Sequence, residues 1–443
     1  MKIYQYGSEE GIDRIVIALN IGPTYSQVTY CILSPGAIPE FHRIIKHTSR
    51  TRGSSSKIPN VLRYYSPGEM RSESNSRGTD REDYLEVEWS KLHWKFLSGQ
   101  SLNEQEKKML SLPVKKTVEQ IFADMIKNLY DTAETFILDT HPTLRSTWSN
   151  REKTFVITHP NDWDYERQAA LRNLAMRGGL PVSPDTLSGG PHLTLVTERD
   201  ACTYSCIYSN LVLDVRFPHH DTLFHSCLLI LIGQLDQSLV TTGGVGTKTP
   251  SLEFNAYSLI VFDGYPLQMF DVATADQKFE GSLLLRKRAH KFLKNKLKGS
   301  VYGADNYVDQ MLWKFEQTAS KTFRTKSDTC VIYFGTVLDR DVMVGVRGGK
   351  LLLHGDEVAD LFEPAIQAYV ATIYERIKNS PLEISMIYLI GDFFTIPYVQ
   401  SEISARIAGR DISIKTMDGE TFSLADGAAL HHVFHHILRG GRR

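Results

Sequence analysis

The hydrophobic pattern is clearest near the start of the chain, where Ile15–Leu19 is an unbroken apolar run rich in β-branched residues. Its length and composition predict a buried strand. The run breaks at Asn20-Ile21-Gly22-Pro23-Thr24 and resumes as an alternating strand over Tyr25–Leu33. Two strands joined by a tight Gly-containing turn read as a β-hairpin, and such a turn can offer backbone N–H groups and hydroxyls to an anion. Thr117–Leu138 follows with apolar residues at helical spacing: Val118, Ile121, Phe122, Met125, Ile126 and Leu129. Thr154–Thr158, Leu193–Val196, Ala256–Phe262 and Ile384–Ile390 read as further strands. Helices are expected from Asp162–Trp163 to Gly179, after Thr197 as N-cap, and over Asp356–Asn379.

Between these elements, Ser49–Lys57 is polar and basic, and Glu69–Glu86 is charged and Ser-rich without a period, so both read as surface segments. Asn210–Phe254 reads as a long excursion that contains His219, His220, Asp221 and His225, with a polar loop as the default for all four. Strands alternating with helices over 443 residues, 42% of them hydrophobic, predict an α/β chain with two cores. The longest apolar run, Cys227–Ile232, is far too short for a membrane span. The net charge of −1 and a pI near 7.0 give no argument for nucleic acid. Five cysteines, an odd number without a C-x-x-C pair, predict reduced thiols and a cytoplasmic setting. Cys202 and Cys206 read as buried small hydrophobes on a helix. His431, His432, His435 and His436 have Zn-like spacing, but without the H-E-x-x-H glutamate they read as an exposed or partly packed helix end, and no metal site is expected.

The hairpin residues Gly22, Thr24, Tyr25, Ser26, Val28 and Tyr30 resemble the first phosphate loop of the fungal seventy-kilodalton heat-shock-protein-like family. The family's acid and a Thr are replaced here by Asn20 and Pro23. Weaker matches follow in the family's order: the strand Lys57-Ile58-Pro59-Asn60-Val61-Leu62; Pro160, Trp163, Gln168, Arg172, Gly179 and Leu180; then Glu198 and Ala201; Phe315, Glu316 and Phe323, which resemble a family helix over Trp313–Phe323; and Phe362-Glu363-Pro364. The resemblance implies a bilobal actin-like ATPase fold of ribonuclease-H-like repeats with an interlobe cleft and without a C-terminal substrate-binding module. Lobe I would comprise residues 1–200 plus 425–443, with an insertion around 49–113. Lobe II would comprise 201–424, with its excursion at 210–254.

The resemblance also places the site. Asn20, Gly22, Thr24 and Tyr25 would form the first nucleotide loop, Gly391 and Asp392 the adenosine loop, and Glu198 and Asp263 are the acids that still match. Gly22 and Gly391 serve plain turns equally well, Asn20 can cap a loop, and Glu198 can be a charge at a helix N-terminus. In the second phosphate loop Tyr265, Pro266 and Leu267 stand where the family has glycines; Pro266 has no N–H and Leu267 would block a phosphate. Together with Ile21, Pro23, Phe394 and Ile396, these residues predict a cleft turned from anion-binding to apolar. Three readings follow: a nucleotide-independent binding or regulatory protein; an enzyme using Asp263 and Glu198 as carboxyl acids to cyclise or isomerise a neutral terpenoid or polyketide in specialised metabolism; and a weak Mg²⁺-dependent ATPase. The eroded loops favour the first, with a protein or a small apolar molecule as partner in or near the cleft and no required cofactor, nucleic acid or membrane.

Overall fold

The computed structural model describes residues 14–22, 25–34, 37, 39–47, 54–65, 69–70, 84–88, 116–161, 163–182, 192–213, 224–232, 252–261, 268–278, 282–380, 384–390, 392–409, 412–417 and 423–437. The fold is mixed α/β with mixed sheets. Arg14–Ile21 is the middle strand of the first sheet, whose order is His192–Thr197, Lys153–His159, Arg14–Ile21, Tyr25–Leu33, Phe41–Arg43. The two later strands in the chain, Lys153–His159 and His192–Thr197, run parallel to it, while the hairpin neighbours are antiparallel. Ile58–Pro59 adds to the start of Tyr25–Leu33.

The continuous apolar run has a direct physical cause. Ile15, Ile17 and Leu19 point into one core, together with Phe155 and Ile157 and the helix Val118–Thr140. Val16 and Ala18 point into another, together with Val156 and the helix Leu424–His432. A strand covered on both faces has no polar side to alternate with. The helix Val118–Thr140 is set by a capping box, in which Thr117 Oγ1 accepts from Gln120 N and Gln120 Oε1 accepts from Thr117 N.

A second sheet repeats the pattern of the first. Its order is Gln268–Lys278, Leu252–Val261, Phe224–Ile232, Ile384–Ile390, Ser413–Met417. Again the first strand in the chain lies centrally, two antiparallel neighbours follow on one side, and two later parallel strands lie on the other. Parallel neighbours need helical crossovers, which Tyr165–Arg177 supplies in the first sheet and Pro397–Ile407 in the second. A large core joins Ile387 and Leu389 to the helix Gly355–Asn379 through Phe362, Ile366, Tyr369 and Ile373. It also takes in a four-stranded sheet made of Thr329–Tyr333, Lys350–His354, Val346–Arg347 and Arg340–Asp341.

Several expectations change. The excursion expected over 210–254 contains the central strand Phe224–Ile232, so His225 sits in a strand rather than a loop; His219, His220 and Asp221 lie outside the described residues. Its sheet partners lie far along the chain, in Leu252–Val261 and Ile384–Ile390, so local pattern does not reveal its central place. The segment over Glu69–Glu86, expected as a surface insertion without a period, contributes Glu69–Met70 and the start of Tyr84–Glu88 to a three-stranded sheet with Val61–Tyr65, and Leu62, Tyr64 and Val87 join the first core. Trp313–Phe323 is divided among the end of Asp305–Lys314, a π-turn Phe315–Ala319 and Ser320–Thr322. The helix Glu198–Leu213 packs through Ala201 beside Leu424–His432. Cys202 and Cys206 are free and buried. No described helix is long and apolar enough to cross a membrane.

Candidate functional site

The carboxyl ends of parallel strands are where α/β sheets place ligands. In the first sheet that edge is formed by Asn20 and Ile21, Thr158 and His159, and Thr197, followed by the helix that opens at Glu198. Asn20 and Glu198 therefore share one edge, separated by the intervening strand that carries Thr158 and His159. Asn20 is buried, and its Oδ1 accepts a 2.8 Å hydrogen bond from Thr158 Oγ1.

The hairpin turn is closed by its own groups. Gly22 N donates to Tyr25 O at 3.2 Å. Asn60 ties the turn from outside: its Nδ2 donates to Gly22 O at 2.7 Å, and its Oδ1 accepts from Ser26 Oγ at 2.6 Å. A Cβ at Gly22 would meet Tyr25 O at 2.8 Å, so close backbone approach in the turn accounts for this glycine. Tyr25 lies under the Lys57 ammonium, 4.8 Å from its ring centroid.

The helix N-terminus on this edge is likewise engaged. Thr197 Oγ1 accepts from Asp200 N at 3.0 Å and donates to Asp200 Oδ2 at 2.7 Å. Asn161 Oδ1, on the loop after the neighbouring strand, accepts from Arg199 N at 2.9 Å. Glu198 is half-buried at the first helical position, where the helix dipole favours a negative charge.

His159 is 4% exposed and stacks on Trp163, with ring centroids 6.1 Å apart. Its Nδ1 lies 2.8 Å from Pro160 O; a carbonyl only accepts, so Nδ1 carries the proton and Nε2 keeps the lone pair. Burial lowers its pKa below the ordinary 6.5, opposed by the bond to Pro160 and the charge of Asp200. The unfolded chain then binds more protons than the folded one as pH falls through 6.5, and stability is lost there. Urea unfolding of His159→Gln should accordingly show a weaker loss of stability between about pH 7 and about pH 5 than the parent shows.

Other expected site residues fall elsewhere. Thr24, Asp263 and Gly391 lie outside the described residues, as do Pro23 and Tyr265–Leu267. Asp392 begins the 3-10 turn Asp392–Thr395 directly after the parallel strand Ile384–Ile390 of the second sheet. Phe394 and Ile396, expected to line an apolar cleft, are instead core residues, 0% and 5% exposed. Phe394 packs edge-on against Tyr369 with centroids 4.9 Å apart. Ile21 is also packed into the first core. The described members of the apolar set thus face inward, where burial rather than ligand contact explains them.

The histidine-rich helix end is partly packed, one of the two alternatives expected for it: His431 and His435 are half-buried and His432 is buried. His432 is buried with Nδ1 3.0 Å from Thr194 Oγ1, and Tyr204 hydrogen-bonds His435 while its ring lies edge-on to His431. Among the described residues no group of three or more His, Cys, Asp or Glu side chains converges as a metal site. Thr158, His159, Asn161, Asp200 and Asn60 complete the edge without having been singled out by spacing. Their signal is position alone, since the first four flank the ends of the strands Lys153–His159 and His192–Thr197. No family model matches this chain, and no curated protein is significantly similar to it.

Proposed function

We propose that this chain is a binding or regulatory protein built on an actin-like scaffold of the heat-shock-protein type, working without nucleotide. The repeated strand order of the two sheets supports the scaffold, read as two ribonuclease-H-like units. The observation that carries the function is the engagement of three described backbone donors on the first sheet's edge, where a phosphate would need them free. Backbone N–H groups cradle phosphate only when they are free to point at it. Here Gly22 N–H is directed to Tyr25, Arg199 N–H to Asn161 and Asp200 N–H to Thr197. Asn20 offers no charge for a hydrated cation, and its Oδ1 accepts from Thr158.

A thermal-shift titration tests this reading. A ligand held only by the native state raises stability by about 2.7 kcal/mol at a hundredfold excess over its dissociation constant. Millimolar ATP or ADP with Mg²⁺ should leave the melting temperature unchanged. Asn20→Asp should give the same flat result, because it restores a carboxylate but frees none of the engaged N–H groups. A saturable rise with either protein would overturn the proposal.

A further inference from the structure

The sheet Thr329–Tyr333, Lys350–His354, Val346–Arg347, Arg340–Asp341 has two unlike faces. Cys330, Ile332, Leu351, Leu353 and Val346 are buried in the large core. By alternation the opposite face carries Val331 and Tyr333 beside Lys350 and Leu352, and then Arg347 with Arg340 directly across the ladder from it. Two like charges set opposite one another on antiparallel strands are destabilising. Arg340, Arg347 and Lys350 are exposed, and none has a carboxylate partner among the described residues. Lys350 sits over the Tyr333 ring at 5.1 Å from its centroid.

Next to this face the chain turns through an apolar tip before the strand Arg340–Asp341, where Val337 is 87% exposed and Leu338 93%. A separate turn after that strand, Val342–Val344, exposes Met343 at 94% and Val342, and Tyr333 is exposed as well. The tip is held in place by its own turn. Asp339 accepts from Thr336 N at 2.6 Å and from Thr336 Oγ1 at 2.9 Å, while Gly349 N donates to Asp339 O at 2.9 Å. Gly349 has φ of 71°, and a Cβ there would meet the Gly335 backbone at 2.4 Å, so the two arms touch. Large apolar side chains held out into water on a fixed turn mark an interaction surface.

We propose that this face and tip dock a polypeptide segment that alternates apolar and acidic side chains. Its apolar residues would cover Leu338, Met343 and Tyr333, and a carboxylate between Arg340 and Arg347 would relieve their repulsion through charge-assisted hydrogen bonds. Charge chooses among the possible occupants. A second copy of this chain meeting the face symmetrically would set these arginines against themselves. Single-stranded nucleic acid needs a series of stacking rings, and among the described residues of this face Tyr333 is the one aromatic ring. The proposal does not rest on the absence of nucleotide binding, and an ATP-induced thermal shift would leave it standing.

The test is fluorescence anisotropy of the full chain with a short labelled peptide alternating Glu with Leu and Phe, beside the same peptide with Lys for Glu. The acidic peptide should bind, the basic one should not, and added salt should weaken the complex. Leu338→Ser and Arg347→Glu should each weaken binding about tenfold. Both side chains are exposed, so circular dichroism should stay unchanged; the melting temperature should hold in Leu338→Ser and should not fall in Arg347→Glu, which removes the repulsion with Arg340. Equal binding of the two peptides, or none, would overturn the proposal. So would a loss, in these same variants, of self-association in sedimentation or of binding to phosphatidylserine vesicles.

Discussion

Gly427→Ala should destabilise the protein by about 3 kcal/mol or more, read as a shift in its urea midpoint. At an ordinary helical position the same change is favourable by about 1 kcal/mol, because alanine restricts the unfolded chain more and favours helix. The sign should reverse here because of what a methyl group would meet. An ideal Cβ at position 427 lies 1.7 Å from Ala201 O and 2.8 Å from Ser205 N. Both are backbone atoms of the helix Glu198–Leu213, so no rotamer change relieves the overlap. The two helices would have to separate, opening the core formed by Val16, Ala18, Val156, Ala425 and Ala428. A variant as stable as the parent, or more so, would show that the helices approach less closely than described.

Asp426→Ala should cost about 3 kcal/mol in thermal or urea unfolding, near the lower end of the range for breaking a buried ion pair. Asp426 opens the same helix and is 6% exposed. One carboxylate oxygen accepts from Thr29 Oγ1, and the other from both Arg43 Nε and Arg43 Nη2 at 2.7 Å. The carboxylate thus fastens the helix Leu424–His432 to two strands of the first sheet, Tyr25–Leu33 and Phe41–Arg43. Without it Thr29 keeps a buried hydroxyl whose partner is gone, while the Arg43 side chain, 27% exposed, can turn toward water. That outlet sets the loss at the lower end. Adding Arg43→Met to Asp426→Ala should cost less than the sum of the single changes, since both remove the same contact.

How far the sequence could be read depended on the range of the interaction. Arg14–Ile21 was legible because burial on both faces writes itself as a continuous apolar run. Val118–Thr140 was legible from its helical period, and its capping box lies within four adjacent residues, Thr117 to Gln120. Thr197, expected as an N-cap, accepts from Asp200 N as that role requires. Phe224–Ile232 was not legible as the centre of a sheet, since its partners come from Leu252–Val261 and from Ile384–Ile390. Apolar character at Phe394 and Ile396 could be read, but the direction in which they point could not. An apolar residue after a strand faces a core or a crevice according to what packs above it, here Tyr369 on a helix that precedes the strand. The candidate edge was partly visible at Asn20, Gly22 and Glu198. Asn60, which locks the hairpin turn, is 34 positions from the Ser26 it binds, and nothing in local spacing connects them.

The bond between Thr29 and Asp426 joins positions 397 apart. Protein synthesis proceeds from the N-terminus at roughly 5–20 residues per second, so Asp426 leaves the ribosome about 20–80 s after Thr29. Once Val156 has been made as well, Val16, Ala18 and Val156 form an apolar surface that waits for the helix covering it in the finished protein. The first half of the chain therefore completes this core only after the last half has been made, and until then that surface is open to wrong partners.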